Sequence, residues 1–256
     1  MPNDLLLLFA LVFAVATFVH GFTGFAFGIV SISFLALTTV DLELATAAIT
    51  LQALVVAGCI LFLTARRGAI HWRLIALLAV GSSIGMPCGY WLLETFKDQT
   101  AFRIVLGVII VCFGLHGLLP RRPVKLRRIW GLPLGIMSGC IGGATVSGGP
   151  PIIYFLYSQT DDPRTMKATV QTIFILVTGL RIVVATVQGS VMDTQLLVAT
   201  AMLAPLTIVV LLCGHALSKR VSADSFRRIT FGFLIAIGLV GAVRATVVLL
   251  RNGAGM

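Results

Sequence analysis

The sequence predicts an all-α polytopic membrane protein built from two inverted repeats, and three observations lead to that prediction. The chain is 58% hydrophobic and only 11% charged, with a mean hydropathy of +1.05. Long apolar runs recur along it, and a glycine-rich break inside the first run is repeated in the second half. This composition lies outside the range of water-soluble globular domains. Duplicated halves that each contain an interrupted helix are typical of secondary transporters.

The internal repeat consists of identical residues at constant separations along the chain. Five matches lie at an offset of 121 residues, as between Gly21 and Gly142. The last part of each copy aligns at an offset of 124, as between Phe102 and Phe226. The matches at 121 pair Gly21, Gly28, Asp41, Ala47 and Gly68 with Gly142, Gly149, Asp162, Ala168 and Gly189.

Six uninterrupted apolar runs are each long enough to cross about 30 Å of hydrocarbon as a helix. They cover residues 43–64, 74–93, 101–119, 166–187, 195–217 and 229–250. Because each run is long, apolar and carries few charges, we expect each of them to be a plain transmembrane helix. Three follow the glycine-rich segment of each repeat.

Two further apolar segments, 5–39 and 129–157, do not fit a plain span. As one helix the first would run about 52 Å, yet two spans and a turn would need more than about 40 residues. Each is therefore either a broken span or a re-entrant helical hairpin. Glycine and proline fall where a break is needed, at 20–28 and at 138–151.

The distribution of basic residues favours the hairpin. Clusters of Lys and Arg mark cytoplasmic loops, and hairpins place all three clusters, at 66–73, 121–128 and 219–228, on the same side. Both termini then lie outside and each repeat makes three net crossings, so the halves are inverted, with eight segments in conventional counting. The predicted division is a first transmembrane repeat at 1–120, a basic cytoplasmic linker at 121–128 and a second transmembrane repeat at 129–256. These loops and their attraction to anionic membrane lipids account for the net charge of +10, so nucleic-acid binding is not predicted.

The two breaks predict an anion site near the membrane midplane. Each break is followed by a new helix, whose free N–H groups and positive dipole end attract anions. Thr23 is a candidate cap for the first returning helix, while Ser147, Gly148, Gly149 and Pro150 form a cap-and-start sequence for the second. We therefore expect hydroxyls and backbone amides to face a small anion.

Some of the glycines allow a different interpretation. Gly131, Gly135 and Gly139 repeat at a spacing of four, which is the pattern of close helix packing in membranes. Packing is therefore the alternative to a binding role for these three residues. The denser run at 142–151 contains two glycine pairs and two prolines and cannot continue a helix.

Arg181 is a cation inside an apolar run, which by default marks a function or a paired structural contact. Gln171, Thr178 and Gln188 share an arc of about 100° of the same helix with it. Arginine makes planar, bidentate contacts with oxyanions such as sulfite, sulfonates and carboxylates. The alternatives are snorkelling to the outer interface and an ion pair with Asp193.

Other classes of protein are disfavoured by what the sequence lacks. All nine acidic residues lie near segment ends, so no midplane carboxylate is available for a proton relay or a cation cage. No HExxH helix, Walker loop or GxSxG elbow is present, and the four histidines are scattered. We therefore predict no enzyme activity, no catalytic residues, no metal and no cofactor. His20 is a candidate pH-sensitive residue at the first break.

These residues resemble the sulfite exporter TauE/SafE family of membrane permeases over nearly the whole chain. The likeness rests on the segments 20–28 and 138–151, on Asp162-Pro163-Arg164 followed by Ala168-Thr169, and on the Phe-Arg pairs at 102–103 and 226–227. It implies a multi-pass protein of the plasma membrane, the inner membrane in a bacterial-type cell. It also implies export of small sulfur-containing or organic anions such as sulfite, sulfoacetate or another sulfonate. Phe22, Phe25 and Phe27 stand where small residues often occur in the family, which leaves room for a larger or less polar anion.

The predicted function is secondary transport by alternating access around the midplane site. An anion channel, or a permease for a different organic anion, is the alternative. The predicted partners are a small anionic substrate and membrane lipids. Protons stay open as a coupling ion beside a purely potential-driven mode, and the oligomeric state is not specified. The candidate substrate-binding residues are His20, Gly21, Thr23, Gly24, Thr145, Ser147, Gly148, Gly149, Gln171, Thr178 and Arg181.

Overall fold

The structure is a computed structural model, and every regular element in the residues it describes is helical. Those residues are 3–64, 70–96, 100–118, 125–160, 162–187 and 194–218, with the stretches 228, 231–232, 235–236, 238–243 and 246–247. The helices are α1 (Asn3–Thr23), α2 (Phe27–Leu35), α3 (Leu42–Thr64), α4 (Trp72–Phe96), α5 (Thr100–Leu118), α6 (Gly131–Thr145), α7 (Gly149–Tyr157), α8 (Pro163–Val187) and α9 (Thr194–Leu217). A short 3₁₀ turn, Arg128–Trp130, precedes α6.

The predicted membrane-spanning character is confirmed. Five of the described helices are long and apolar enough to cross a membrane, namely α1, α3, α4, α8 and α9. Large apolar side chains cover their outer surfaces, as where Phe62 is 71% exposed and Val187 80% exposed. Helix α5, which is not among these five, coincides with the predicted run at 101–119. Within the predicted run at 229–250, the residues that the structure describes are helical.

Both glycine-rich segments break where the sequence predicts, between α1 and α2 and between α6 and α7. The rings of Phe13 and Phe27 lie 5.5 Å apart, whereas 14 residues of continuous helix would separate them by about 21 Å. In the second segment the Phe155 ring lies against Gly131 at the start of α6. In both segments, therefore, the helix after the break folds back along the helix before it.

The first arms of the two folded segments differ in length, which the sequence does not predict. α1 has 21 residues and α6 has 15. At 1.5 Å per residue α1 is about 32 Å long and α6 about 22 Å. The helix before the first break is thus long enough to cross a bilayer by itself, while the helix before the second is not.

Two aspartates that match in the sequence repeat have the same structural role. The Asp41 carboxylate accepts the Leu44 N–H at 3.0 Å, and the Asp162 carboxylate accepts the Thr165 N–H at 3.1 Å. Each aspartate precedes its helix, α3 or α8, and bonds the third N–H, as an N-cap does. The two helices therefore begin at equivalent points of the repeat.

The helices pack mainly in three pairs, in which α4 contacts α6, α1 contacts α9 and α3 contacts α8. The α4–α6 contact is made by backbone: a side chain on Gly139 would meet the Ser82 carbonyl, and one on Gly85 would meet the Ile136 carbonyl. Gly135 likewise lies against Leu78. Close packing is therefore the correct interpretation of the glycines spaced at four in α6.

We expect Gly139→Ala to lower the melting temperature of the detergent-purified protein by roughly 3–8 °C, because the new methyl group would force two backbones apart. The measurement is thermal unfolding followed by fluorescence or by loss of monodispersity. Gly58→Ala is the matched control, since no atom lies within 4 Å of a Cβ built there. A Gly139→Ala protein as stable as Gly58→Ala would contradict the backbone contact.

Candidate functional site

The two helix breaks meet, and a cavity lies between them. A side chain on Gly28, in the first turn of α2, would run into the Val146 carbonyl of the second break. The cavity has a volume of about 60 Å³ and is lined by residues of both breaks and of α3, α4 and α8. This is room for several waters or for a small anion.

Hydrogen bonds from neighbouring helices hold the first break. Gly24 has a left-handed backbone, with φ of +83°. Its N–H bonds to the His20 carbonyl at 2.6 Å, and its own carbonyl accepts the side-chain amide N–H of Gln171 at 2.6 Å. Gln171 is fully buried on α8. The polar backbone of this break is therefore satisfied from a helix about 147 residues further along the chain.

His20, and not Thr23, caps the first returning helix. The His20 Nδ1 atom accepts the N–H of Phe27, the first residue of α2, at 3.2 Å. The Thr23 hydroxyl instead donates to the Val19 carbonyl at 2.9 Å and accepts the Phe25 N–H at 3.3 Å. The prediction of a Thr23 cap is wrong because this short side chain reaches only its own turn.

The capping bond fixes the tautomer of His20. Since Nδ1 accepts a hydrogen bond, the ring proton lies on Nε2. Within the described part of the chain, both His20 Nε2 and Gln171 Oε1 are buried without a hydrogen-bond partner. A buried donor and a buried acceptor near the first break therefore remain unused within this part of the chain.

The second break is held by different groups. α6 ends at Val146, whose φ of 57° is left-handed although the residue is β-branched, a conformation that costs roughly 1–3 kcal/mol. The Ser138 hydroxyl donates to the Gly148 carbonyl at 2.6 Å, and the Ser147 hydroxyl hydrogen-bonds the Thr145 hydroxyl. Several tertiary contacts thus stabilise a strained turn.

Ser147 does not cap α7, so that prediction is wrong as well. The N-cap residue of α7 is Gly148, which has no side chain to form a capping bond. Prolines follow within its first turn, as the sequence predicts. Because Pro150 and Pro151 carry no N–H, the amides at the start of α7 are those of the two glycines.

Arg181 is buried and faces the cavity, with 3% of its surface exposed. Its Cζ lies over the Tyr90 ring of α4, 5.3 Å from the ring centroid. Its Nε has no hydrogen-bond partner, and no carboxylate pairs with it, among the residues that the structure describes. The burial rules out snorkelling to the surface. Asp193 and Gln188 lie outside the described residues.

The eleven candidate residues divide into two groups. Those that line the cavity are His20, Ser147, Gly148, Gly149, Thr178 and Arg181. The others have structural contacts: Gly21 packs against the Leu211 carbonyl of α9, Thr23 and Thr145 bond to their own helices, and Gly24 and Gln171 bond each other.

Sequence reasoning overlooked most of the apolar lining and two polar contributors. Ser138, Met86 and the rings of Phe25 and Phe27 line the cavity, and Tyr90 lies under Arg181. The repeat contained a usable signal for some of the lining residues. Ala53 and Ala57 line the cavity at positions 121 residues before Phe174 and Thr178, which also line it.

Comparison with known proteins gives the chain a family. The model of the sulfite exporter TauE/SafE family matches residues 8–240. A probable sulfite/organosulfonate exporter TauE from Cupriavidus necator is 28% identical over 229 residues, which cover 87% of this chain and 88% of the relative. A probable inner membrane transporter protein TsaS from Comamonas testosteroni is 23% identical over 173 residues, 66% of this chain and 72% of the relative. No solved structure matches the chain.

We expect Gln171→Leu to loosen the first break, because it removes the donor to the Gly24 carbonyl. Amide hydrogen exchange in residues 24–27 should become roughly tenfold faster, as the loss of one buried hydrogen bond would allow. Mass spectrometry of peptides that cover the break measures this. Gln159→Leu is the control, since that amide also donates to a backbone carbonyl, Leu126, but away from the cavity. Equal exchange at 24–27 in both variants would refute the role of Gln171.

Proposed function

Because the chain belongs to the sulfite exporter TauE/SafE family, we propose that it is a secondary transporter that exports a small sulfur oxyanion across the inner membrane. Its relatives are named as transporters, and its described helices form a multi-pass membrane protein. The protein is therefore a membrane transporter. The substrate, the binding residues and the mechanism below are our proposal.

The observation that carries the proposal is the buried guanidinium of Arg181 at the cavity, whose Nε has no hydrogen-bond partner among the described residues. A buried cation without a counter-charge is costly, and an anion in the cavity would supply that charge. The Ser147 hydroxyl and the first amides of α7 line the same space, and the dipole of that helix has its positive end there. These groups suit an oxyanion with two or three oxygens on one centre.

The apolar part of the cavity wall favours an anion with a short carbon chain. Phe25, Phe27, Ala53 and Ile152 line the cavity with apolar surface. Inorganic sulfite would leave this wall in contact with water or empty space, whereas the methylene group of a sulfonate such as sulfoacetate would cover it. We propose that the sulfonate head contacts Arg181 and Ser147 and that the carbon part contacts the phenyl rings.

The helix pairing supports two inverted repeats, 1–120 and 129–256, joined by the linker 121–128. Under the sequence repeat, α4 corresponds to α9 and α6 to α1, so the pairs α4–α6 and α1–α9 are the same contact made twice. α3 and α8 correspond to each other and pack together. Such reciprocal contacts are expected for inverted halves that rock around a central site. In this scheme the two folded segments are re-entrant hairpins and both termini lie outside.

Export needs no coupling ion on energetic grounds. At 100 mV, inside negative, each negative charge that leaves the cell gains about 2.3 kcal/mol. A dianion gains about 4.6 kcal/mol, which supports a gradient of roughly two-thousandfold. We propose a potential-driven uniporter, with proton coupling as the competing mode.

We expect saturable counterflow of sulfoacetate in proteoliposomes, measured as labelled uptake into vesicles preloaded with unlabelled sulfite, sulfoacetate, taurine, sulfate or a neutral solute. Arg181→Ala should lower transport efficiency on the order of 100-fold, because it removes charge-assisted hydrogen bonds to the anion. Arg181→Lys keeps the charge and loses the planar fork of N–H donors, so its transport efficiency should lie between those of wild type and Arg181→Ala.

The control for this experiment is Arg73→Ala, an exposed arginine at the start of α4. If exchange survives in Arg181→Ala, the anion binds at the helix breaks without help from Arg181. Flux without counterflow would indicate a channel. Lack of exchange with every sulfur anion would remove the proposed substrate class.

A clamped membrane potential tests the mode of transport. With valinomycin and potassium gradients setting the potential, flux of the anion out of the negative compartment should rise with the imposed voltage. Flux that ignores the voltage and follows an imposed pH gradient would establish electroneutral proton coupling instead.

A further inference from the structure

We infer that Tyr90 is a positioning residue for the anion site: its ring holds the Arg181 guanidinium while leaving the N–H groups of that guanidinium available to the transported anion. The inference rests on the proposed role of Arg181 in binding. It concerns a residue that carries no charge, lies about 91 residues away in sequence and belongs to another helix.

The contact between the two side chains is buried on both sides. Tyr90 is 2% exposed and Arg181 3% exposed, and Cζ lies over the ring at 5.3 Å from its centroid. An aromatic face attracts a cation through the negative face of its quadrupole, and the attraction is stronger when both groups are out of water. Within the described part of the chain, the Tyr90 ring is the contact partner of the guanidinium.

An aromatic partner leaves the cation able to bind an anion, which a carboxylate partner would not. A carboxylate would cancel the charge and occupy N–H donors, so a substrate anion would have to displace it. The guanidinium carbon lies over the ring face, and a neutral ring takes up the N–H donors of an arginine far less strongly than a carboxylate does. Arg181 therefore keeps its full charge and its free Nε for an oxyanion.

The position of Tyr90 is set by a close backbone contact between α4 and α6. A Cβ on Gly143 of α6 would lie 2.9 Å from the Tyr90 nitrogen, and one on Gly89 would overlap the Cys140 carbonyl. Met86, one turn before Tyr90 on the same face of α4, lines the cavity. The ring is thus fixed at the edge of the cavity by a helix that cannot shift sideways without moving α6.

The test compares ring removal with ring retention in the counterflow assay with sulfoacetate. Tyr90→Leu keeps an apolar side chain and loses the aromatic face, so KM should rise about tenfold while the maximal rate stays within about twofold. Tyr90→Phe keeps the face, so its KM should stay within about threefold of wild type. Trp91→Leu, which removes a neighbouring ring that is 57% exposed, should match wild type.

Each outcome bears on the inference. An unchanged KM in Tyr90→Leu, with wild-type exchange intact, would overturn the role of Tyr90 and leave the proposed function standing. A loss in Tyr90→Phe as large as in Tyr90→Leu would also overturn it, because the hydroxyl would then be the active group. A maximal rate that collapses at unchanged KM would show a structural role only. If wild type exchanges no sulfur anion, the proposed function fails and this role fails with it. Tyr90→Met replaces Tyr90→Leu if the leucine variant does not fold.

Discussion

Backbone that leaves a helix within hydrocarbon must find its hydrogen bonds inside the protein, and the arrangement of this cavity follows from that requirement. Each break has a carbonyl that a side chain satisfies: Gly24 is bonded by Gln171 and Gly148 by Ser138. Gln171 comes from α8, the helix that also carries Arg181. One helix, α8, thus carries both the Gln171 side chain that satisfies the first break and the Arg181 cation that gives the cavity its charge.

The repeat duplicates positions that line the cavity, but it does not duplicate the polar and charged side chains at those positions. Positions that match at the offset of 121 line the cavity from both halves, but Ala57 faces it from α3 where Thr178 faces it from α8. The position that corresponds to Arg181 is Ile60, which is buried and apolar. A symmetrical cavity would offer two cations or none. With one, the second half supplies the charge and the first half supplies most of the apolar wall.

Hydropathy and glycine content were enough to predict the long described helices and the two breaks, because these depend on composition within a single segment. They also located Arg181 inside an apolar run, but they left snorkelling of its side chain open. The roles of the small polar residues at the breaks were not predictable in this way. Thr23 and Ser147 have hydroxyls that can bond the nearest backbone or a neighbouring side chain as easily as a helix start, so composition does not decide among them. The His20 cap and the Tyr90 ring depend on fold-back and on helix pairing, which a linear pattern does not contain.

The contact of Gly28 with the Val146 carbonyl has a consequence for the speed of movement. Interlocked side chains resist sliding, since each must change rotamer or lift out of its groove before the next position is reached. Where the two breaks touch, a bare α-carbon faces a carbonyl, so there is no side chain to disengage at that point. Under the alternating-access mechanism proposed above, a smooth contact between the breaks would keep the activation barrier of each cycle low, while tightly packed α4 and α6 would keep the moving parts rigid.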